Sequence, residues 1–291
     1  MATPRPIVVG VDLRDSGDEA LRQAAAWAER EERPLIVVHA TGDPVSLGPL
    51  FRQMGRSGES AFAEIEQNAR AEVEKRVAAV LGDEALAQII IGQGSPHSVI
   101  LDHATRAQAR LTVVGATEAS AIGRLLLGST AEQVVRHSDT WVLVAQPSPA
   151  SKVVLVASDL SESAMSAIEA AHEEAIRRKA RLVAVHCLDL AHPVIAAFEP
   201  GVTVDEQTKA ALRAAARETL EAQLSRAGAS ADIVIADGPP ARAVLRTAEE
   251  HSVGLLVVST HGRTGLARVA LGSVASAVAS RASCAVLVVR G

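Results

Sequence analysis

The sequence has no tyrosine and little aromatic material of any kind, 2% against a hydrophobic share of 48%. Its apolar content is therefore Ala, Val, Leu and Ile, a composition that suits buried parallel strands covered by alanine-rich helices. Cysteine is also scarce: Cys187 and Cys284 are the only two, each inside an apolar run (LVAVHCL and CAVLVV). That excludes a disulfide framework, and no Cys/His spacing suits zinc. Both thiols are expected to be buried and inert. There is no excess of positive charge, since the formal net charge is -5. A broad electrostatic footprint for nucleic acid or anionic membrane is thereby excluded. Long apolar runs are missing too, with none near the roughly 20 residues of a membrane helix. The opening MATPRPIVVGVD meets Asp12 and Arg14 too soon to read as a signal peptide. A cytoplasmic protein is expected.

What is present is a duplication. The stretch 92–146 (GQGSPHSVILDHATRAQARLTVVG…) aligns without a gap to 236–290 (ADGPPARAVLRTAEEHSVGLLVVS…). Gly94 meets Gly238, Pro96 meets Pro240, Arg124 meets Arg268, and Gly128-Ser129 meets Gly272-Ser273, an offset of 144. The starts of the halves also correspond, IVVGVDLRDS around Asp12 with VVLVASDLSES around Asp159, at an offset of 147. The chain of 291 residues thus reads as two domains of ordinary size, 1–147 and 151–291, joined at Gln146-Pro-Ser-Pro-Ala-Ser151.

Within each half, strands alternate with helices. In the first half, strands are predicted at Ile7–Asp12, Pro34–Ala40, Ala87–Ile91, Leu111–Gly115 and Trp141–Ala145. Helices are predicted from Ser16 to about Glu31, from Glu59 to about Val80, over Pro96–Ala109, and from Ser129 onward. The second half repeats the pattern, with strands near 153–158, 181–186, 232–236, 254–258 and 285–289. The fold class is α/β, a parallel sheet covered on both faces in each half. Segments 41–57 and 188–204 carry the least pattern and are expected to be flexible.

Ligands of open α/β sheets bind beyond the carboxyl ends of the strands, where strand order reverses. Three features of each half converge there. Asp12 and Asp159 close the first strand, where a carboxylate can accept from a ribose hydroxyl or simply anchor a loop. After the fourth strand come GATEASAIGRLLLGST in one half and STHGRTGLARVALGSV in the other. Their glycines permit close backbone approach, and each Gly-Ser pair opens a helix whose bare amides favour an anion such as a triphosphate. Neither is a Walker loop, because no Gly-Lys-Ser/Thr occurs and the lysines (75, 152, 179 and 209) lie elsewhere. At the end of the second strand, a small residue follows His39 or His186 and can form an adenine slot; the histidines themselves read as structural. His103, His137 and His251 show no metal-ligand spacing, whereas His261 lies inside the loop. No base–nucleophile pair stands near it, so ATP turnover, if any, is expected to be slow.

These residues resemble the ATP-binding branch of the universal stress protein family, whose loop has the form Gly-x2-Gly-x9-Gly-Ser/Thr before a helix. The stretches Ser259-Thr-His-Gly262-Arg-Thr-Gly265 to Gly272-Ser273-Val274, and Ser283-Cys-Ala-Val-Leu-Val-Val289, carry the likeness. It covers the chain twice. The resemblance implies two adenine-nucleotide α-hydrolase-like (Rossmann-like) domains of five parallel strands each, pairing through their fifth strands as an internal pseudo-dimer. It implies a homodimer as a further possibility, protein partners, and a regulatory role in stress rather than efficient catalysis. It also implies ATP, with magnesium, at Asp12, Ala40, Gly115, Gly128, Ser129 and Thr130 in one half. In the other the corresponding residues are Asp159, Cys187, Val258, His261, Gly262, Gly272, Ser273 and Val274. Both halves depart from the pattern. Glu118 replaces the second glycine of the first loop, and Ser259 the first glycine of the second. A carboxylate 4 Å from another negative charge costs about 4 kcal/mol at an effective dielectric of ~20, about three decades of affinity. The second half is therefore expected to bind better. Two alternatives stand beside this reading: an interaction module that has lost nucleotide binding, and a slow ATP hydrolase.

Overall fold

A computed structural model describes residues 4–42, 58–116, 127–148, 151–189, 205–260 and 271–290. The chain divides into two compact units, Met1–Gln146 and Pro147–Gly291.

The first unit contains β1 (Ile7–Gly10), α1 (Asp15–Arg30), β2 (Leu35–Ala40), α2 (Gly58–Leu81), β3 (Ala87–Gly92), α3 (Pro96–Arg106), β4 (Leu111–Gly115), α4 (Ser129–His137) and β5 (Trp141–Ala145). Its strands are parallel, in the order β3-β2-β1-β4-β5. The register sets Ile7 beside both Leu35 and Leu111, so the central strand is flanked by β-branched and leucyl neighbours. All four residues of β1 are buried, as a central parallel strand covered on both faces requires. Helices α1 and α2 pack together, and α3 packs with α4. Asp15 and Asp18 in the first turn of α1 and Arg30 in its last turn suit the helix dipole, while Ala20, Leu21, Ala24 and Trp27 face the core. Gly10 lets α3 approach: a Cβ there would collide with the Ile100 side chain.

The second unit contains β6 (Val153–Ala157), a 3-10 turn (Glu162–Ala164), α5 (Met165–Arg178), β7 (Arg181–Leu188), α6 (Glu206–Arg226), β8 (Asp232–Asp237), α7 (Pro240–Glu250), β9 (Leu255–Ser259), α8 (Ser273–Arg281) and β10 (Ala285–Val289). Its strand order, β10-β9-β6-β7-β8, is the same topology. Here α5 packs with α6, and α7 with α8. The duplication extends to backbone detail. Gly94 and Gly238 take positive φ (+128° and +104°) before the equivalent prolines Pro96 and Pro240, and Gln108 and Ser252 leave the following helices in the left-handed region.

Where the sequence and the structure differ, local geometry is the cause. The first strand ends at Gly10, with one more ladder bond from Val11 N–H to the Val38 carbonyl, because Leu13 then turns left-handed. β7 runs on through Cys187 to Leu188, held by β8 up to Asp237. The remainder of the two segments expected to be flexible, 43–57 and 190–204, lies outside the described residues. Among the described residues no helix is long and apolar enough to cross a membrane.

Candidate functional site

In both units the strand order reverses between the first and fourth strands, β1 and β4 in one and β6 and β9 in the other. The carboxyl end of that pair is where the α/β crevice opens. The chain leaves it through the same device twice. Leu13 and Leu160 adopt left-handed φ values of 59° and 65°, unusual for a branched side chain. The turn brings the Arg14 N–H back to Asp12 Oδ1 at 3.2 Å and the Ser161 N–H back to Asp159 Oδ1 at 3.0 Å. A hydroxyl adds to each: Ser16 donates to Asp12 Oδ2 at 3.1 Å, and Ser161 to Asp159 Oδ1 at 2.5 Å. The contacts described here are thus those of loop anchors.

The second strand supplies the next layer. His39 Nδ1 stands 2.8 Å from the Val11 carbonyl, and His186 Nδ1 2.8 Å from the Ser158 carbonyl. A carbonyl only accepts, so Nδ1 carries the proton in both rings. Each histidine therefore pins the residue immediately before the aspartate. The residue after it is Ala40 in one unit, opposite Gly92, and Cys187 in the other, opposite Ala236. Cys187 is half-buried with its Sγ 3.6 Å from the Pro240 carbonyl. Burial pushes its thiol up to about 11, with Arg246 pulling weakly the other way. Cys284 is buried and pushed up to about 12 for the same reason. Both stay protonated at neutral pH and are poor nucleophiles.

The fourth strand ends at Gly115 in one unit and Ser259 in the other. A Cβ on Gly115 would collide with the Ser16 backbone carbonyl, so the first turn of α1 rests directly on that glycine. Val258 is buried in β9 one residue earlier. The loops beyond, including Glu118, His261 and Gly262, lie outside the described residues. The chain re-enters at the helix starts. Gly128 caps α4 and Gly272 caps α8 in extended conformations, and neither helix receives a side-chain cap. The first intrahelical bonds run from Glu132 N–H to Gly128 O and from Ser276 N–H to Gly272 O, each 2.9 Å. Preceding them are the amides of Ser129, Thr130 and Ala131, and of Ser273, Val274 and Ala275, which donate to nothing among the described residues. One amide is already used: Gly272 N–H donates to the Thr260 carbonyl at 2.9 Å. That bond ties the start of α8 to the end of β9.

Sequence reasoning missed what holds these loops from below. In the second unit the Ser158 hydroxyl donates to Gln223 Oε1 at 2.9 Å and accepts from the Leu160 N–H at 3.0 Å. Gln223 Nε2 donates to the Ser161 carbonyl at 2.9 Å. In the first unit the position equivalent to Gln223 is Arg76, which forks onto Asp18 at 2.5 and 2.9 Å and lies 3.5 Å from Asp15. The signal was a polar residue on the inner stripe of an otherwise plain long helix.

Two consecutive five-stranded parallel units with a reversal between strands one and four define a tandem Rossmann-like α/β protein. The family model described as Universal stress protein family matches residues 3–146 and again 150–290. This chain therefore belongs to the universal stress protein family, as a tandem member. A universal stress protein of Mycolicibacterium smegmatis is 32% identical, with 99% of this chain and 98% of the relative covered. One from Mycobacterium tuberculosis is 30% identical over 100% of this chain and 99% of its own length. Among solved structures, a universal stress protein from Archaeoglobus fulgidus superposes with a TM-score of 0.68 at 20% identity, covering 98% of both chains. A protein of unknown function from Pseudomonas aeruginosa gives 0.69 at 18% identity, covering 98% of this chain and 92% of its own. At those identities the structural likeness speaks for the fold.

Proposed function

We propose that this chain is a cytoplasmic, ATP-binding regulatory protein of the stress response, in which the second domain is the better nucleotide site. The observation that carries the reading is the start of α8: a glycine N-cap with no side-chain cap, at the carboxyl edge of β9, followed by the amides of Ser273 and Val274. Bare amides and the helix dipole together favour phosphate oxygens. In this reading the phosphate chain lies on the loop from His261 and Gly262 to Gly272-Ser273-Val274, beside Val258. The ribose meets Asp159, and the adenine lies by Cys187. The equivalent set in the first domain is Asp12, Ala40, Gly115, Gly128, Ser129 and Thr130. The residues suit an adenine nucleotide. A Cβ on Gly272 would come to 3.1 Å from the Thr260 carbonyl, so a glycine keeps backbone rather than side chain at the crevice floor. Among the described residues no group of three His, Cys, Asp or Glu side chains is placed to hold a metal. In this reading magnesium accompanies the phosphates.

The preference for the second domain rests on Glu118, a carboxylate where the second loop has Gly262. Exchange of these two residues in the full chain tests it. Gly262→Glu should weaken ATP binding by about three decades if the carboxylate faces the phosphates at ~4 Å. Glu118→Gly should strengthen the first site. Titration calorimetry reads both, and a G262E chain that binds as tightly as the parent removes the ranking. Nucleotide released from the denatured, purified protein and identified by mass spectrometry tests the broader reading.

A second reading, an interaction module without nucleotide, is favoured by one observation. Both aspartates already accept from their own loops, and the Gly272 amide is already satisfied by Thr260. A protein that purifies without nucleotide and shows no thermal shift with ATP supports it.

A further inference from the structure

β3 and β8 are the outer strands of their units, paired only with β2 and β7 among the described residues. The inner side of β3 is fixed by the Thr41 N–H on the Gly92 carbonyl. Alternation then turns the backbone groups of Ala87, Ile89 and Ile91 outward. An outward row of N–H and C=O groups is a template for another strand. The long helix of each unit reaches over that row with an arginine. Arg70 of α2 donates to the Ile89 carbonyl at 3.1 Å, and Arg217 of α6 donates to the Ile233 carbonyl at 3.2 Å. The two arginines occupy equivalent positions, as do the two isoleucines, 147 and 144 residues apart respectively. Two independent halves thus place the same charged donor on the same edge carbonyl.

The edges differ in charge. β8 begins and ends on aspartates. Asp232 pairs with Arg181 at 2.9 Å and Asp237 with Arg213 at 2.7 Å, while Arg246 donates to the Asp237 carbonyl at 3.2 Å. β3 (AQIIIG) carries no charge, and Leu86 beside it is 95% exposed where the second unit has Ser230. The β3 row is also self-complementary. An antiparallel copy centred on Ile89 sets each outward N–H against an outward C=O about a twofold axis.

We propose that Arg70 and Arg217 guard these edges against strand addition by a second copy of this chain, and that the uncharged β3 edge opens first. The guanidinium satisfies the carbonyl and puts a charge where an incoming strand would lie. The test uses the full chain as Arg70→Ala, Arg217→Ala, Arg70→Lys and the double variant Arg70→Ala/Ile91→Pro. Each is followed by sedimentation velocity over a concentration series and by thermal unfolding. R70A is expected to raise the weight-average mass toward about twice the parent value, as isologous pairing demands. R217A should move it less. R70K, which keeps a charged donor, should stay near the parent. Proline at 91 removes an outward N–H and blocks the docking side, so R70A/I91P should fall back to the parent mass. R70A chains that melt lower yet sediment as the parent would mean a packing role and overturn the proposal. So would self-association that persists with proline at 91. Should R70A not fold, an R70K chain that self-associates more than R217A overturns it equally.

Discussion

Equivalent positions of the two units hold Arg76 and Gln223: Arg76 fastens α2 to the first turn of α1, and Gln223 fastens α6 to the loop that follows β6. The first unit does so with charge, a forked ion pair to Asp18 that remains partly exposed. The second uses a neutral, buried network in which Gln223 and Ser158 are 4% and 5% exposed. One topology therefore tolerates two chemistries at the same joint. The second unit adds an exposed pair, Arg226 with Glu162 at 2.8 Å, for which Ala79 leaves no counterpart. Beneath the joint, Val73 of the first unit corresponds to Leu220 of the second, both fully buried. The comparison teaches that the two units share the turn and its aspartate and histidine anchors, while the tie to the long helix was solved separately.

The largest expected asymmetry lies in that core. Leu220→Ala should cost about 2–5 kcal/mol, and Val73→Ala about 2 kcal/mol for its two methyl groups. Denaturant unfolding with a probe in each unit reads both, and an equal loss would break the comparison. Exchange at the fourth strand comes next. Gly115→Ser puts a Cβ against the Ser16 backbone carbonyl and should destabilise by about 1–3 kcal/mol. Ser259→Gly should cost less, about 0.5–1 kcal/mol of added backbone freedom, because it drives no atom into backbone; a larger loss from S259G in the same titration would invert the claim. Smaller, but more diagnostic, is salt. Gln223→Ala leaves the Ser158 hydroxyl buried without that acceptor, at about 1–3 kcal/mol independent of ionic strength. The loss from Arg76→Ala should shrink between low and high salt, since its partner is partly solvated. Matching salt slopes for the two variants would erase the distinction between ionic and neutral joints. The smallest effect is acidic. The hydrogen bond and charge of Arg226 hold the Glu162 carboxyl below its usual 4.5. Its stabilising contribution is therefore present above that value and lost as pH falls through the lowered one. Glu162→Gln should flatten the acid limb of the stability curve of the second unit alone, and an unchanged limb would assign that slope elsewhere.

Much of this architecture is written in local pattern. Leu111–Gly115, Trp141–Ala145 and the stretch 285–289 were placed to the residue, because a strand buried on both faces must be apolar throughout and its ends are marked by polar or glycine residues. The glycine N-caps at 128 and 272 were legible for a similar reason. The left-handed leucines were not, since Leu13 and Leu160 violate their own preference and are held by the carboxylate before them and, at Leu160, by the Ser158 hydroxyl as well. The partners of His39 and His186 were also hidden. Each ring meets a carbonyl 28 residues away, a pairing that only the parallel register brings about.

By itself the amino-acid order determined the duplication, the strand–helix alternation and the positions of Asp12, Asp159 and the two Gly-Ser turns, because periodicity and backbone preference act over a few residues. Which groups those residues meet was decided only by the tertiary structure. Strand order and helix packing bring Gln223 to Ser158, Arg76 to Asp18 and the arginines to the sheet edges, across separations over which local preference carries no information.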